Sequence, residues 1–154
     1  MLTRTISAAM FVALFCGAAI AGGVTNVKEI VNNTGMTVEV RKYDIKAGAA
    51  GSEFETTREI PANGGIWTGD MWVPWADSAD DFTEKHMEVR VYRGTAFWIW
   101  QSGEFLRYND RGRFIANARR VTGEARSGGE RRMIISMNKD GKITSEDKVI
   151  QGQT

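Results

Sequence analysis

The chain has 154 residues, with 20 basic and 19 acidic side chains, one histidine and one cysteine. A net charge this close to zero argues against a nucleic-acid partner, because nothing in the overall balance attracts a polyanion. The lone thiol, Cys16, sits in the N-terminal leader, so the rest of the chain has neither a disulfide framework nor a cysteine-ligated metal or thiol nucleophile.

The leader itself, "MLTRTISAAMFVALFCGAAIAGG", carries one early cation, Arg4, an apolar run from Ile6 to Ile20, and a small-x-small signal at Ala19-Ile20-Ala21. The run is shorter than the roughly 20 apolar residues that a membrane span requires and breaks into Gly22-Gly23. Bulky Phe15 before Cys16 is the wrong neighbour for lipid attachment. Residues 1–21 therefore read as a signal peptide and residues 22–154 as a single domain of about 133 residues, secreted or periplasmic, large enough for one core.

Beyond the leader the hydrophobic period is two. "NNTG" at 32–35 reads as a turn, although Asn32-Asn33-Thr34 is formally a glycosylation sequon. In "MTVEVRKYD" Met36, Val38 and Val40 alternate with Thr37, Glu39 and Arg41, as a strand with one face in a core requires. "ANGG" at 62–65 is the next turn, and "GGIWTGDMWV" follows. Its odd positions Trp67, Met71 and Val73 share one side, while Trp72 falls with Thr68 and Asp70 on the polar side. Pro74 removes a ladder donor and ends or edges this strand, which leaves Trp75 at the mouth of the acidic loop "WADSADDF". "DSADDFTEKH" has room for one helical turn, and no segment has the apolar stripe of a longer helix.

"HMEVRVYR" resumes the alternation, with Met87, Val89 and Val91 inward and His86, Glu88 and Arg90 outward, so the sole histidine is expected to be an exposed strand residue. "AFWIWQ" is apolar on both faces and reads as a central strand that takes Trp98 and Trp100 into the core. "NDRG" at 109–112 and "NKDG" at 138–141 are further turns, and "ERRMIISM" and "KITSEDKVI" are the last strands. The sum is an all-β fold, a single antiparallel β-sandwich or barrel of about eight to ten strands. Glycine-rich stretches at 48–51 and 123–129 read as loops within it.

The chemistry-bearing residues point to binding rather than catalysis. His86 has no nucleophile-elbow motif to serve, and no cofactor fingerprint occurs, so the protein is expected not to be an enzyme. "SMNKDGKITSED", Ser136 to Asp147, imitates a calcium loop, but Ser136 replaces the first carboxylate and a hairpin turn accounts for the same residues. Asp77, Asp80 and Asp81 are read as hydroxyl acceptors in preference to metal ligands, and no metal is assigned. Together with Trp72 and Trp75 they form the candidate ligand site, since indole rings beside carboxylates suit a sugar's apolar face and its hydroxyls.

Arg107, Arg111, Arg113, Arg119, Arg120, Arg126, Arg131 and Arg132 crowd the later part of the chain. They read as one half of a set of surface ion pairs; gathered at one end of the sandwich they would form a fork-donor patch for phosphate, sulfate or carboxylate. The expected function is a secreted binding module for a glycan or glycolipid headgroup. The alternative is a membrane-acting or protein-partner module, toxin- or inhibitor-like, whose tryptophans enter an interface and whose arginines meet anionic membrane headgroups. The general pattern suits small lectin-like modules, sphingolipid-binding cytolysin-like proteins and some protease inhibitors, an analogy of fold that does not carry function. Oligomeric state is left open.

Overall fold

The structure, a computed structural model, describes residues 23–44, 54–91, 96–123, 126–136 and 142–147. Residues 1–21, read above as a signal peptide, the glycine-rich 48–51 segment and the expected turn at "NKDG" lie outside the described residues.

The elements in order are β1 (Thr25–Asn32), β2 (Val38–Asp44), β3 (Phe54–Ile60), β4 (Gly65–Trp72), α1 (Ala79–Glu84), β5 (Lys85–Val91), β6 (Ala96–Ser102), β7 (Phe105–Asn109), β8 (Arg119–Arg120), β9 (Thr122–Gly123), β10 (Gly129–Ser136) and β11 (Lys142–Asp147). They form two sheets, one ordered β4-β1-β10-β11-β9 and the other β3-β2-β5-β6-β7-β8. This is the all-β sandwich that the alternating pattern predicts. The sheets are antiparallel except at two pairs, β1 with β10 and β11 with β9, which run parallel.

Between the sheets lies one apolar core. The first sheet contributes Val27, Ile30, Met71, Met133 and Ile135, and the second Val40, Met87, Val89, Phe97 and Ile99, all buried. Each such side chain contributes about 1.5–3 kcal/mol by leaving water. Trp67 packs partly against this core from the edge strand β4, its ring lying over Gly69, where a Cβ would fall 2.6 Å from the indole.

A second, smaller core covers the outer face of the second sheet. Residues of β6 alternate, so Phe97 and Ile99 enter the main core while Trp98 and Trp100 point the other way. Trp100 is fully buried there with Phe82 of α1, Ala76 and Ala118, and half-buried Trp98, Phe114 and Ile115 pack against them. The 110–118 loop folds back over the sheet to do this, and Gly112, with φ of +61°, passes against the Trp98 ring. β6 is thus buried on both faces, as its composition predicts.

The same cover corrects the expectation for His86. Strand parity is right, but the outward face of β5 is covered at that point, and His86 is only 9% exposed. Its ring stacks on Phe82 at 4.9 Å between centroids and lies 4.5 Å from the Tyr43 ring. Its Nδ1 is 2.6 Å from the Phe82 carbonyl, which can only accept, so Nδ1 carries the proton.

Two buried amides fix how the chain enters and leaves the first sheet. Asn32 donates to the carbonyls of Met36, Ile60 and Pro61 at 2.8–2.9 Å and accepts from the Thr34 amide and hydroxyl at 2.9 and 2.7 Å. Gln101 accepts from the Thr25 amide at 3.1 Å and donates to the Gly23 carbonyl at 2.9 Å, tying the start of β1 to the end of β6.

Candidate functional site

β4 is the outer strand of its sheet, and alternation sends Ile66, Thr68, Asp70 and Trp72 to the exposed side. Trp72, at the strand end, is 50% exposed and stands in register with Asn26 of β1. Asp70, two residues earlier on the same face, accepts a hydrogen bond from Asn26 Nδ2 at 2.7 Å and an ion pair from Lys28 Nζ. The Lys28 hydrogen bond first, then that of Asn26, hold the Asp70 carboxyl below the ordinary carboxylate range. An exposed indole therefore stands in a row with a charged carboxylate, an ammonium and an amide, none of them in the predicted site.

After Trp72 the chain crosses from one sheet to the other. The Val73 amide donates to the Thr25 carbonyl at 2.9 Å, while on the far side Gln101 N donates to Pro74 O at 2.8 Å and Ala76 N to Gln101 O at 2.9 Å. Val73 and Pro74 are buried, and Trp75 bridges to Gln101 as a one-residue addition to β6. Trp75 lies three residue steps after Trp72, so their α-carbons are at most about 11 Å apart.

Trp75 is 37% exposed, and its indole N–H donates to Asp77 Oδ2. The other carboxylate oxygen of Asp77 accepts from Ser102 Oγ at 2.7 Å. Burial alone would raise the Asp77 pKa, but the hydrogen bonds from Trp75, Ser102 and the Gly103 amide outweigh it and hold the carboxyl below its ordinary value. Asp77 is therefore a charged acceptor that orients the Trp75 ring.

Asp81 does different work. Ser78 caps α1, its hydroxyl accepting from the Asp81 amide at 3.1 Å, and Asp81 Oδ2 takes the Ser78 hydroxyl at 2.9 Å and the Asp77 amide at 3.4 Å. This variant of the capping box satisfies orphan donors at a helix start. Asp80 stands exposed in the first turn, where its charge suits the helix dipole.

Of the five residues predicted for the site, then, hydrogen bonds join Trp75, Asp77 and Asp81. Trp72 lies on the sheet face beyond the buried Val73-Pro74 step, and Asp80 has no side-chain partner among the described residues. No group of three or more histidine, cysteine or acidic side chains among the described residues is placed to hold a metal. Asp70 shares the face of Trp72 by simple strand alternation, a signal present in the sequence. Asn26, Lys28 and Ser102 reach the site from strands distant in the chain, which only the register reveals.

The chain matches no protein-family model, no curated protein and no solved structure. Among the described residues no helix is long and apolar enough to cross a membrane.

Proposed function

We propose that the protein is a noncatalytic, exported binding module that takes a carbohydrate or glycolipid headgroup on Trp72 and Trp75. The observation that carries this reading is the pair of exposed indoles held on either side of a hydrogen-bonded crossover, each with a carboxylate beside it. Indole faces stack on the C–H faces of a sugar ring, while Asp77 and Asp70 offer acceptors to its hydroxyls. A rigid backbone between the rings limits the ordering cost of binding. The leader supports export, with the leader removed.

The test is a glycan array followed by titration, with Trp72→Ala beside the wild type. The variant should bind at least about tenfold more weakly through loss of stacking, and its Tm should stay within a few degrees because half the ring is already in water. A variant that unfolds, or one that binds as well as the wild type, removes Trp72 from the site. Repeating the titration with calcium and with chelator separates direct hydroxyl recognition from metal-bridged recognition, and product analysis exposes any turnover.

A second reading, a membrane- or protein-contacting surface, draws on Ile66, which is 57% exposed in the same outward row as Trp72 and extends the apolar area along β4. Sedimentation with neutral and anionic vesicles separates it from a soluble lectin-like module.

A further inference from the structure

The arginines that the sequence left divided between two readings resolve into separate environments. Arg132 pairs with Glu29 on the first sheet, and Arg131 is buried with its guanidinium donating to the Arg126 carbonyl. Five of the other six, Arg107, Arg111, Arg113, Arg119 and Arg120, fall between Phe105 and Gly123, a stretch whose only acid is Asp110. The structure brings them to one edge of the second sheet, around β7, β8 and the loop between them. Arg107 faces Arg120 directly across the two strands, a like-charge pairing that destabilises a sheet. Among the described residues Asp110 is the one carboxylate paired with any of the five, at 3.9 Å from Arg119.

A cleft of about 410 Å³ opens at this edge, lined by Arg111 and Arg119, with Asp110, Asn117, Tyr108 and Ile115 among its other walls. That volume lies within the range of small-molecule sites. Its walls are built, not loose. Asn109 accepts from the Arg111 amide at 3.0 Å and donates to the Arg113 carbonyl at 2.8 Å, while Arg107 donates to the Ala118 carbonyl at 2.9 Å. The Arg119 guanidinium lies 5.0 Å from the centre of the Tyr108 ring, and that of Arg120 lies 3.4 Å from the centre of Phe105. Stacking of this kind satisfies the cation's face and leaves its in-plane N–H donors free for an anion.

We propose that this cleft binds a phosphate or sulfate ester. Arg111 and Arg119 offer fork donors to its oxygens, the unbalanced charge of the neighbouring arginines attracts it, and Ile115 with the edge of Tyr108 receives the carbon body that bears it. The site lies on the opposite sheet from Trp72 and does not depend on glycan recognition there.

The proposal is tested on the folded protein with inorganic phosphate and inorganic sulfate at constant ionic strength balanced with chloride. The backbone amide resonances of Arg111, Asn117 and Arg119 should move together on one saturable curve. Arg111→Gln and Arg119→Gln should each weaken binding about tenfold, as loss of a charge-assisted hydrogen bond does. Arg58→Gln, which removes the same charge from β3 at the opposite edge of the same sheet, should leave it unchanged. The Arg111 side chain is exposed and makes no hydrogen bond or ion pair among the described residues, so its variant should fold regardless of any stability cost at Arg119. A second arm uses phosphatidylcholine vesicles with and without phosphatidic acid. Retention that free phosphate competes away assigns a lipid phosphate as the source, and soluble binding without retention assigns a soluble ester. Shifts no larger than chloride produces, wild-type affinity in both arginine variants, or vesicle binding that free phosphate does not displace would each overturn the proposal.

Discussion

Asn32 shows how little a single letter pattern decides. As part of Asn-Asn-Thr it matches a glycosylation signal, yet its carboxamide is fully buried and both its ends are engaged by the turn that it organises. Replacing it with alanine strands several buried carbonyls and an amide, at about 1–3 kcal/mol for each group left unpaired. Asn32→Ala should therefore lose about 3 kcal/mol or more in urea unfolding, and a loss under about 1 kcal/mol would mean that the turn holds without it. Asp77 supports a prediction about pH. Its folded pKa lies below the ordinary carboxylate value, so the hold that it exerts on Trp75 is complete above about pH 4 and is lost as the pH falls through the folded pKa. The Trp75 part of the emission, taken as the difference from Trp75→Phe, should be flat from pH 7 to about pH 5 and shift in stronger acid. A shift centred near neutrality would assign the response to another group.

Elements were legible where alternation was strict and obscured where it slipped. The sequence announces β2, β4 and β5 through period two, and strand parity correctly sorts Trp72 from Trp67 and His86 from Met87. β1 is hidden because a bulge at Lys28 places Lys28 and Glu29 on the same side, so its core residues Val27 and Ile30 are three apart instead of two. Parity also says nothing of what covers a face. α1 and the 110–118 loop turn the outer side of β5 and β6 into a second core, which is why His86 is buried. Burial is the main influence on its pKa and lowers it, outweighing the Phe82 carbonyl and the more distant charge of Glu88, which raise it. With the folded pKa depressed, the unfolded chain binds the extra proton more readily. The neutral ring's contribution is thus whole above the ordinary histidine value of about 6.5 and is lost as the pH falls through the folded pKa. The Tm should decline from pH 7.5 to pH 5, with α1 loosening first, and His86→Phe, which keeps the stacking on Phe82, should flatten that decline. An unchanged slope in the variant would place the titration elsewhere.

At the scale of the whole molecule, the all-β class follows from alternation and turn spacing, whereas the choice of sandwich over barrel and the strand order do not. The parallel meeting of β1 with β10 joins residues about a hundred positions apart, and no local pattern encodes it. The candidate site divides along the same line. Trp72, Trp75 and Asp77 are legible because they are close in sequence, while Asn26, Lys28 and Ser102 join them only through register. Gln101 is where the two sheets and the site depend on one side chain. Its backbone brackets Trp75 through Pro74 and Ala76, and its buried carboxamide holds Thr25 and Gly23, from the segment that also receives Val73. Leucine fills a similar volume but leaves the Thr25 amide and the Gly23 carbonyl without partners, a loss of about 2–4 kcal/mol and a fall in Tm on the order of 10 °C. Gln101→Leu should also speed hydrogen exchange at Val73 and Ala76 before the rest of the core opens, because their acceptors are set by the same clamp. Trp72 and Trp75 would then lose their fixed separation, and a ligand that spans both rings would lose affinity through ordering cost while one that touches a single ring would not. A variant that melts within about 2 °C of the wild type and protects Val73 and Ala76 equally well would show that the backbone ladder alone holds the crossover.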